Sequence, residues 1–152
     1  MSKTPSTIAF VLVCLALAPV RSGAQEVRRY IAPSTAAEAA KPPFSGAVQV
    51  GNTLYLSGNI GLDENRRVPD TADAEARLLL DAVQKTLRDA GFTMDDLVFV
   101  QVFCSDVKHY DAFNKVYRTY FKKEFPARAF VGAGTLLFNA RFEMQAIAVL
   151  RK

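Results

Sequence analysis

The stretch FPARAFVGAG, Phe125 to Gly134, places one arginine, Arg128, at the mouth of a run that otherwise reads as a buried strand. A guanidinium beside an apolar layer is costly unless an anion meets it, because it gives up hydration that only a charged partner and hydrogen bonds replace. An internal acid, a solvent-facing position and a bound ligand would each answer that demand, and the local sequence leaves all three open. Other reactive side chains are scarce. His109 is the single histidine, no CxxC or HxxxH spacing occurs, and a zinc or redox site lacks ligands. Cys104, closing the run LVFVQVFCSD, reads as a buried and inert thiol.

The elements that must position Arg128 follow from periodicity. GAVQV and TLYLSG read as two short strands joined at Gly51-Asn52, a strong hairpin dipeptide. From Thr71 to Ala90 the residues Ala72, Ala76, Leu79, Leu80, Val83, Leu87 and Ala90 share one helical stripe, with Asp73 and Glu75 in the first turn and Gly91 just past the end. LVFVQVFCS reads as a strand covered on both faces. A second helix is predicted in DVKHYDAFNKVYRTYFKKEFP, where Tyr110, Phe113, Val116, Tyr117, Tyr120 and Phe121 recur at helical spacing and Pro126 stops the helix. ARAFVGAGTL and RFEMQAIAVL read as two final strands joined by a short turn near Phe138. With a short strand ahead of them, these segments predict an α/β sheet carrying both helices on one face. Apolar residues on both sides of the pleat in VFVQVF and RFEMQAIAVL make self-association the natural cover for the other face.

The chain has 152 residues, half of them apolar, enough for one compact domain. Its beginning differs in kind. MSKTPSTIAFVLVCLALAPVRSGAQE has a lysine near the start, an apolar run from Ile8 to Ala18 and small residues at Ser22 and Ala24, the grammar of a secretory signal peptide cut after Ala24. The run covers about eleven residues against the roughly 20 that span a bilayer, so no stable membrane insertion is expected once the leader is gone. Loss of Lys3 and Arg21 lowers the formal charge from +4 by two, to +2, and leaves Cys104 without a disulfide partner. An exported, periplasmic or secreted protein is the expectation. A charge near +2 without clustered basic residues gives little electrostatic footprint for nucleic acid.

Between about Pro43 and Ala148 the sequence resembles the RidA (YjgF) family of small trimeric imine deaminases. The segments that carry the resemblance are PPFSGAVQVGNTLYLSGNIGLD, AGFTMDDLVFVQVFCSD, FNKVYRTYF, FPAR and FEMQAIA, in that order. The resemblance divides the chain into a leader (1–24), a short leader strand and loop (25–42) and a RidA-like domain (43–152). It implies a chorismate-mutase-like α/β fold with a mixed sheet, a homotrimer with ligand clefts between subunits, and hydrolysis of reactive 2-imino or enamine acids to 2-oxo acids and ammonia without metal or organic cofactor. Arg128 matches the family arginine that grips the substrate carboxylate, a role suited to its planar fork. Glu143 matches the glutamate that activates water. Ser57 and Gly58 match a pocket-lining SG segment, and Asn114 matches a helix asparagine near the pocket.

Two positions depart from the pattern. Phe44 stands where many members have a tyrosine, and Phe130 where archetypal members have a cysteine. Both remove polar groups and add apolar bulk, which favours an apolar substrate side chain or a different ligand. A non-catalytic trimer that binds or senses a small carboxylate is the competing reading. Geometry adds one expectation: if the last two strands form a hairpin turning near Phe138, Arg128 and Glu143 lie about 17 Å apart along it, too far to share one small ligand unless they come from different subunits.

Overall fold

In the computed structural model, which describes residues 27–33 and 42–151, the chain reverses at Gly51, whose left-handed φ of 58° suits the absence of a Cβ. The turn joins β2 (Ala47–Val50) to β3 (Thr53–Ile60), and β1 (Arg28–Ile31) pairs antiparallel with β2. The leader read over residues 1–24 lies outside the described residues. Among those described, no helix is long and apolar enough to cross a membrane.

Helix α1 (Ala72–Ala90) forms where the apolar stripe predicts it. Thr71 Oγ1 accepts the Ala74 amide at 3.3 Å, satisfying one of the free donors of the first turn. Gly91, at φ 86°, ends the helix, and the amides of Gly91 and Phe92 return to the carbonyls of Arg88 and Leu87 at 3.0 and 2.8 Å. From β1, Arg29 places its guanidinium on the carbonyls of Asp89 and Ala90, a cation at the negative end of the helix. Ala76, Leu79, Leu80, Val83 and Leu87 are buried against the sheet. The second helix is shorter than its periodicity predicts. A 3-10 turn, Val107–His109, leads into α2 (Tyr110–Tyr117), which tightens into another 3-10 turn at Arg118–Tyr120.

The sheet has six strands in the order β1-β2-β3-β6-β4-β5, with β4 at Leu97–Cys104, β5 at Ala127–Gly132 and β6 at Phe142–Val149. The expected hairpin between the last two strands is not formed. β4 lies between them, pairing parallel with β5 and antiparallel with β6. Phe138 and Asn139 do turn the chain, with φ of 60° and 55°, but the turn belongs to a loop that carries it past β4. The fold is a mixed α/β sheet with both helices over one face.

Within one protomer β4 is covered on its helix side, and the cover expected on its other face from self-association lies outside a single chain. Val100, Val102 and Cys104 are fully buried on the helix side, whereas Val98 and Phe99 are 46% and 38% exposed. Cys104 is buried as predicted. Loss of hydration raises its thiol above the ordinary range, and its Sγ donates to the Asp106 carbonyl at 3.0 Å.

Glu75, read from sequence as a first-turn acid, has no contact with solvent. Its Oε1 accepts the backbone amides of Arg141 and Phe142 at 2.6 and 2.9 Å, and its Oε2 meets Arg141 Nη1 at 2.8 Å. Arg141 also donates to the carbonyls of Pro69 and Asp70. A buried carboxylate with this set of donors ties the start of α1 to the start of β6. Glu75→Ala leaves a cation and two amides without their acceptor, and we expect a loss of about 3–5 kcal/mol in urea-unfolding free energy. A loss below about 1 kcal/mol would place the pair with ordinary surface bridges.

Candidate active site

Arg128 sits on β5 opposite Val100 of β4, so its side chain leaves the sheet on the helix side. There it lies under α2. Arg128 Nη2 donates to Asn114 Oδ1 at 2.7 Å, and the guanidinium carbon is 4.6 Å from the centre of the Tyr117 ring. The rings of Tyr110, Phe113 and Phe130 lie 5.7–6.0 Å from the same carbon. Aromatic faces attract a cation at these distances but do not neutralise it. Among the described residues Arg128 forms no salt bridge, and its Nη1 is buried without a hydrogen-bond partner. Of the sources of an anion left open by the sequence, an internal acid is therefore absent among the described residues.

Phe130 belongs to the same cluster. Its ring meets Tyr110 edge-on at 5.0 Å and Phe113 at 5.6 Å, so this departure from the family pattern packs under α2 beside the arginine. Between α2 and the connection into β5 a recess of about 150 Å³ opens, lined by Asn114, Tyr117, Arg118, Phe125, Pro126 and Arg128.

Glu143 belongs to the other face. On β6 the buried residues Phe142, Met144, Ala146 and Ala148 alternate with Glu143, Gln145 and Ile147, which point away from the helices. Between Leu56 and Asn59 the register of β3 against β6 slips, and Ser57 and Gly58 fall in that irregularity. Gly58 lies directly under the Glu143 carboxylate, and a methyl group there would overlap Oε1. Ser57 Oγ donates to the Ser45 carbonyl at 2.6 Å, fixing β3 to the segment that carries Phe44, itself 54% exposed.

The candidate residues thus fall into two groups. Arg128, Asn114 and Phe130 lie beneath α2; Glu143, Ser57 and Gly58 lie on the uncovered face, with Phe44 at its margin. Glu143 pairs with Phe103, and Phe103 with Val131, which puts Glu143 three residues past Arg128 in register and two strands away. That is about 10 Å along the strands and about 10 Å across them. Even so, the opposite direction of the two side chains separates them more decisively than distance. The 17 Å hairpin estimate is replaced by this geometry. Within one protomer the two groups do not face a common space. Among the described residues no three of His, Cys, Asp and Glu gather where a metal ion could be held.

The chain matches the endoribonuclease L-PSP family over residues 34–150. It belongs to this family, the YjgF/RidA family. It is 37% identical to the 2-iminobutanoate/2-iminopropanoate deaminase of Mus musculus over 123 residues, covering 80% of this chain and 91% of the mouse protein. It is 36% identical to the 3-aminoacrylate deaminase RutC of Acinetobacter baylyi, covering 70% and 86%. In three dimensions it resembles RidA from an Antarctic Psychrobacter, with a TM-score of 0.69 at 28% identity over 84% of this chain and 100% of that one. Escherichia coli TdcF, solved with bound serine, gives a TM-score of 0.73 at 27% identity over 81% and 100%. Imine deamination is the activity for which several relatives of this family member are named.

Tyr117, Arg118 and Phe125 were not singled out by sequence. Tyr117 reads there as core spacing, although it stands one helical turn after Asn114 and so shares its face. Burial pushes the Tyr117 hydroxyl up from 10 to about 12, with the Arg128 charge pulling the other way. The sign follows: the neutral phenol is favoured in the folded state, so its contribution is complete below pH 10 and disappears between about 10 and 12. Wild-type unfolding free energy should therefore fall more steeply across that window than that of Tyr117→Phe. Parallel alkaline stability curves for the two proteins would refute the assignment.

Proposed function

We propose that this protein hydrolyses small 2-imino and enamine acids to 2-oxo acids and ammonia, without metal or organic cofactor, in clefts between the subunits of a homotrimer. The observation that carries the reading is Arg128: a half-buried guanidinium, held by Asn114 among aromatic rings, with no carboxylate of the described residues to meet it. A substrate carboxylate supplies the missing anion and takes the planar fork.

The reaction then needs a group to handle protons. With the carboxylate on Arg128, the iminium carbon faces a water held by Glu143 of a neighbouring protomer. The Glu143 carboxylate takes a proton as the water oxygen bonds to carbon and the C=N electron pair moves to nitrogen. It returns that proton to the nitrogen. Ammonia leaves as the carbinolamine hydroxyl closes to the ketone and gives its proton back to the same carboxylate, which releases it to solvent. Enamines enter after tautomerising to the imine. Gly58 leaves room for the carboxylate to adopt this position.

Two features support shared clefts. Arg128 and Glu143 leave opposite faces of one sheet, so a single protomer does not aim both at one ligand. Tyr55, Ile147 and Phe99, aligned across neighbouring strands, put apolar surface on the uncovered face, which association would remove from water. Export remains part of the proposal and rests on the leader grammar of residues 1–24; the N-terminus of protein recovered from cells tests it.

The direct assay generates 2-iminobutanoate with an amino-acid oxidase and follows its disappearance against the spontaneous rate. Arg128→Ala and Glu143→Gln should each lower kcat/KM by about 100-fold or more. Gly58→Ala, which displaces the carboxylate by steric overlap, should lower kcat in a protein that still folds. Wild-type activity in either charge variant, or a fully active monomer, would exclude the proposal. The packing of Phe130 among Tyr110 and Phe113, where it offers no polar group, favours one alternative: carboxylate binding without turnover. Calorimetric binding by a wild-type protein that leaves imine decay unchanged would select it.

A further inference from the structure

We infer that the recess beside Arg128 is a side-chain subsite for aromatic 2-imino acids, with Phe125 as the residue that selects them. The inference rests on the proposed carboxylate site at Arg128 and names the substrate class that site prefers.

Size is the first argument. A recess of about 150 Å³ is far larger than the methyl or ethyl group of the smallest 2-imino acids needs. An apolar cavity of about this volume accommodates a benzene ring. A short side chain would leave most of the space to water held against Phe125 and Pro126, which offer that water no side-chain hydrogen bonds.

The walls supply the second argument. Tyr117 and Phe125 lie nearly parallel, at 21° with centroids 6.2 Å apart, and Phe121 closes the group at 4.7 Å from Tyr117 and 5.5 Å from Phe125. Phe125 is nevertheless 51% exposed and lines the recess, so this aromatic group ends there in a ring that a ligand can reach. An additional ring joins it by offset or edge contact, the arrangements that aromatic pairs prefer.

Charge is the third. Each wall ring already carries a guanidinium: Arg128 lies 4.6 Å from the Tyr117 centroid and Arg118 lies 5.8 Å from that of Phe125. A ligand whose carboxylate occupies Arg128 directs its side chain along this wall toward Arg118. Among the described residues Arg118 has no acidic partner, and an electron-rich ring is the neutral group that attracts a guanidinium by its face.

The test uses inert carboxylates, so that binding is measured apart from chemistry. By calorimetry on the full protein, 3-phenylpropanoate should bind about 10- to 100-fold more tightly than propanoate, the gain expected for burying a phenyl group. Phe125→Ala should bring the two within about threefold by weakening 3-phenylpropanoate alone, and Phe125→Leu should restore part of the preference. Equal affinities in the wild type, tighter binding of succinate than of 3-phenylpropanoate, or equal weakening of both ligands by Phe125→Ala would each overturn the inference while leaving the Arg128 site standing. Failure of every carboxylate to bind would overturn both. The oxidase-coupled assay decides hydrolysis separately.

Discussion

A carboxylate sealed from water decides how this sheet is assembled. Glu75, in the first turn of α1, accepts two successive amides at the entrance to β6 and the guanidinium of Arg141. The contact joins residues 66 positions apart and fixes the phase of β6 at its first residue. Strand side chains alternate, so a slip of one residue would turn Phe142 and Met144 outward and drive Glu143 into the core. Both the buried layer and the outward carboxylate depend on that phase.

The same alternation separates the two candidate charges. β5 is registered to β4 so that Arg128 shares the helix side with Val100, and β6 is registered so that Glu143 shares the opposite side with Phe103. Neither group has an internal salt-bridge partner among the described residues. The environments differ as well. Arg128 is ringed by aromatic faces, which stabilise a cation without consuming its charge, while Glu143 lies over a glycine on a surface that no helix covers. One side presents a cation that no described acid meets, and the other a carboxylate lying against a glycine. Chemistry that needs both must draw them from more than one copy.

Local signals in the sequence are accurate where local physics decides the outcome. Thr71 and Gly91 bound α1 as capping rules require, and Gly51 turns the first hairpin because its backbone tolerates a positive φ. The family segments locate Arg128 and Asn114, which the structure joins by a hydrogen bond. Information carried by distant pairing was not legible. Phe138 and Asn139 have the backbone of a tight turn, yet nothing nearby indicates that β4, from earlier in the chain, occupies the place between the strands they connect. Glu75 is an ordinary first-turn acid until Arg141 meets it. Tyr117 and Phe125 look like packing residues until the connection after α2 leaves a space beside them.

The position of β6 has a consequence for biosynthesis. Among the described residues it is the last strand, yet it stands near the middle of the sheet, between β3 and β4. Before it emerges from the ribosome, β1-β2-β3 and β4-β5 are two fragments, each with an open edge and neither able to close the core. Until β6 has been made the sheet cannot lock into its native topology, which leaves an interval in which chaperones can engage the two open fragments.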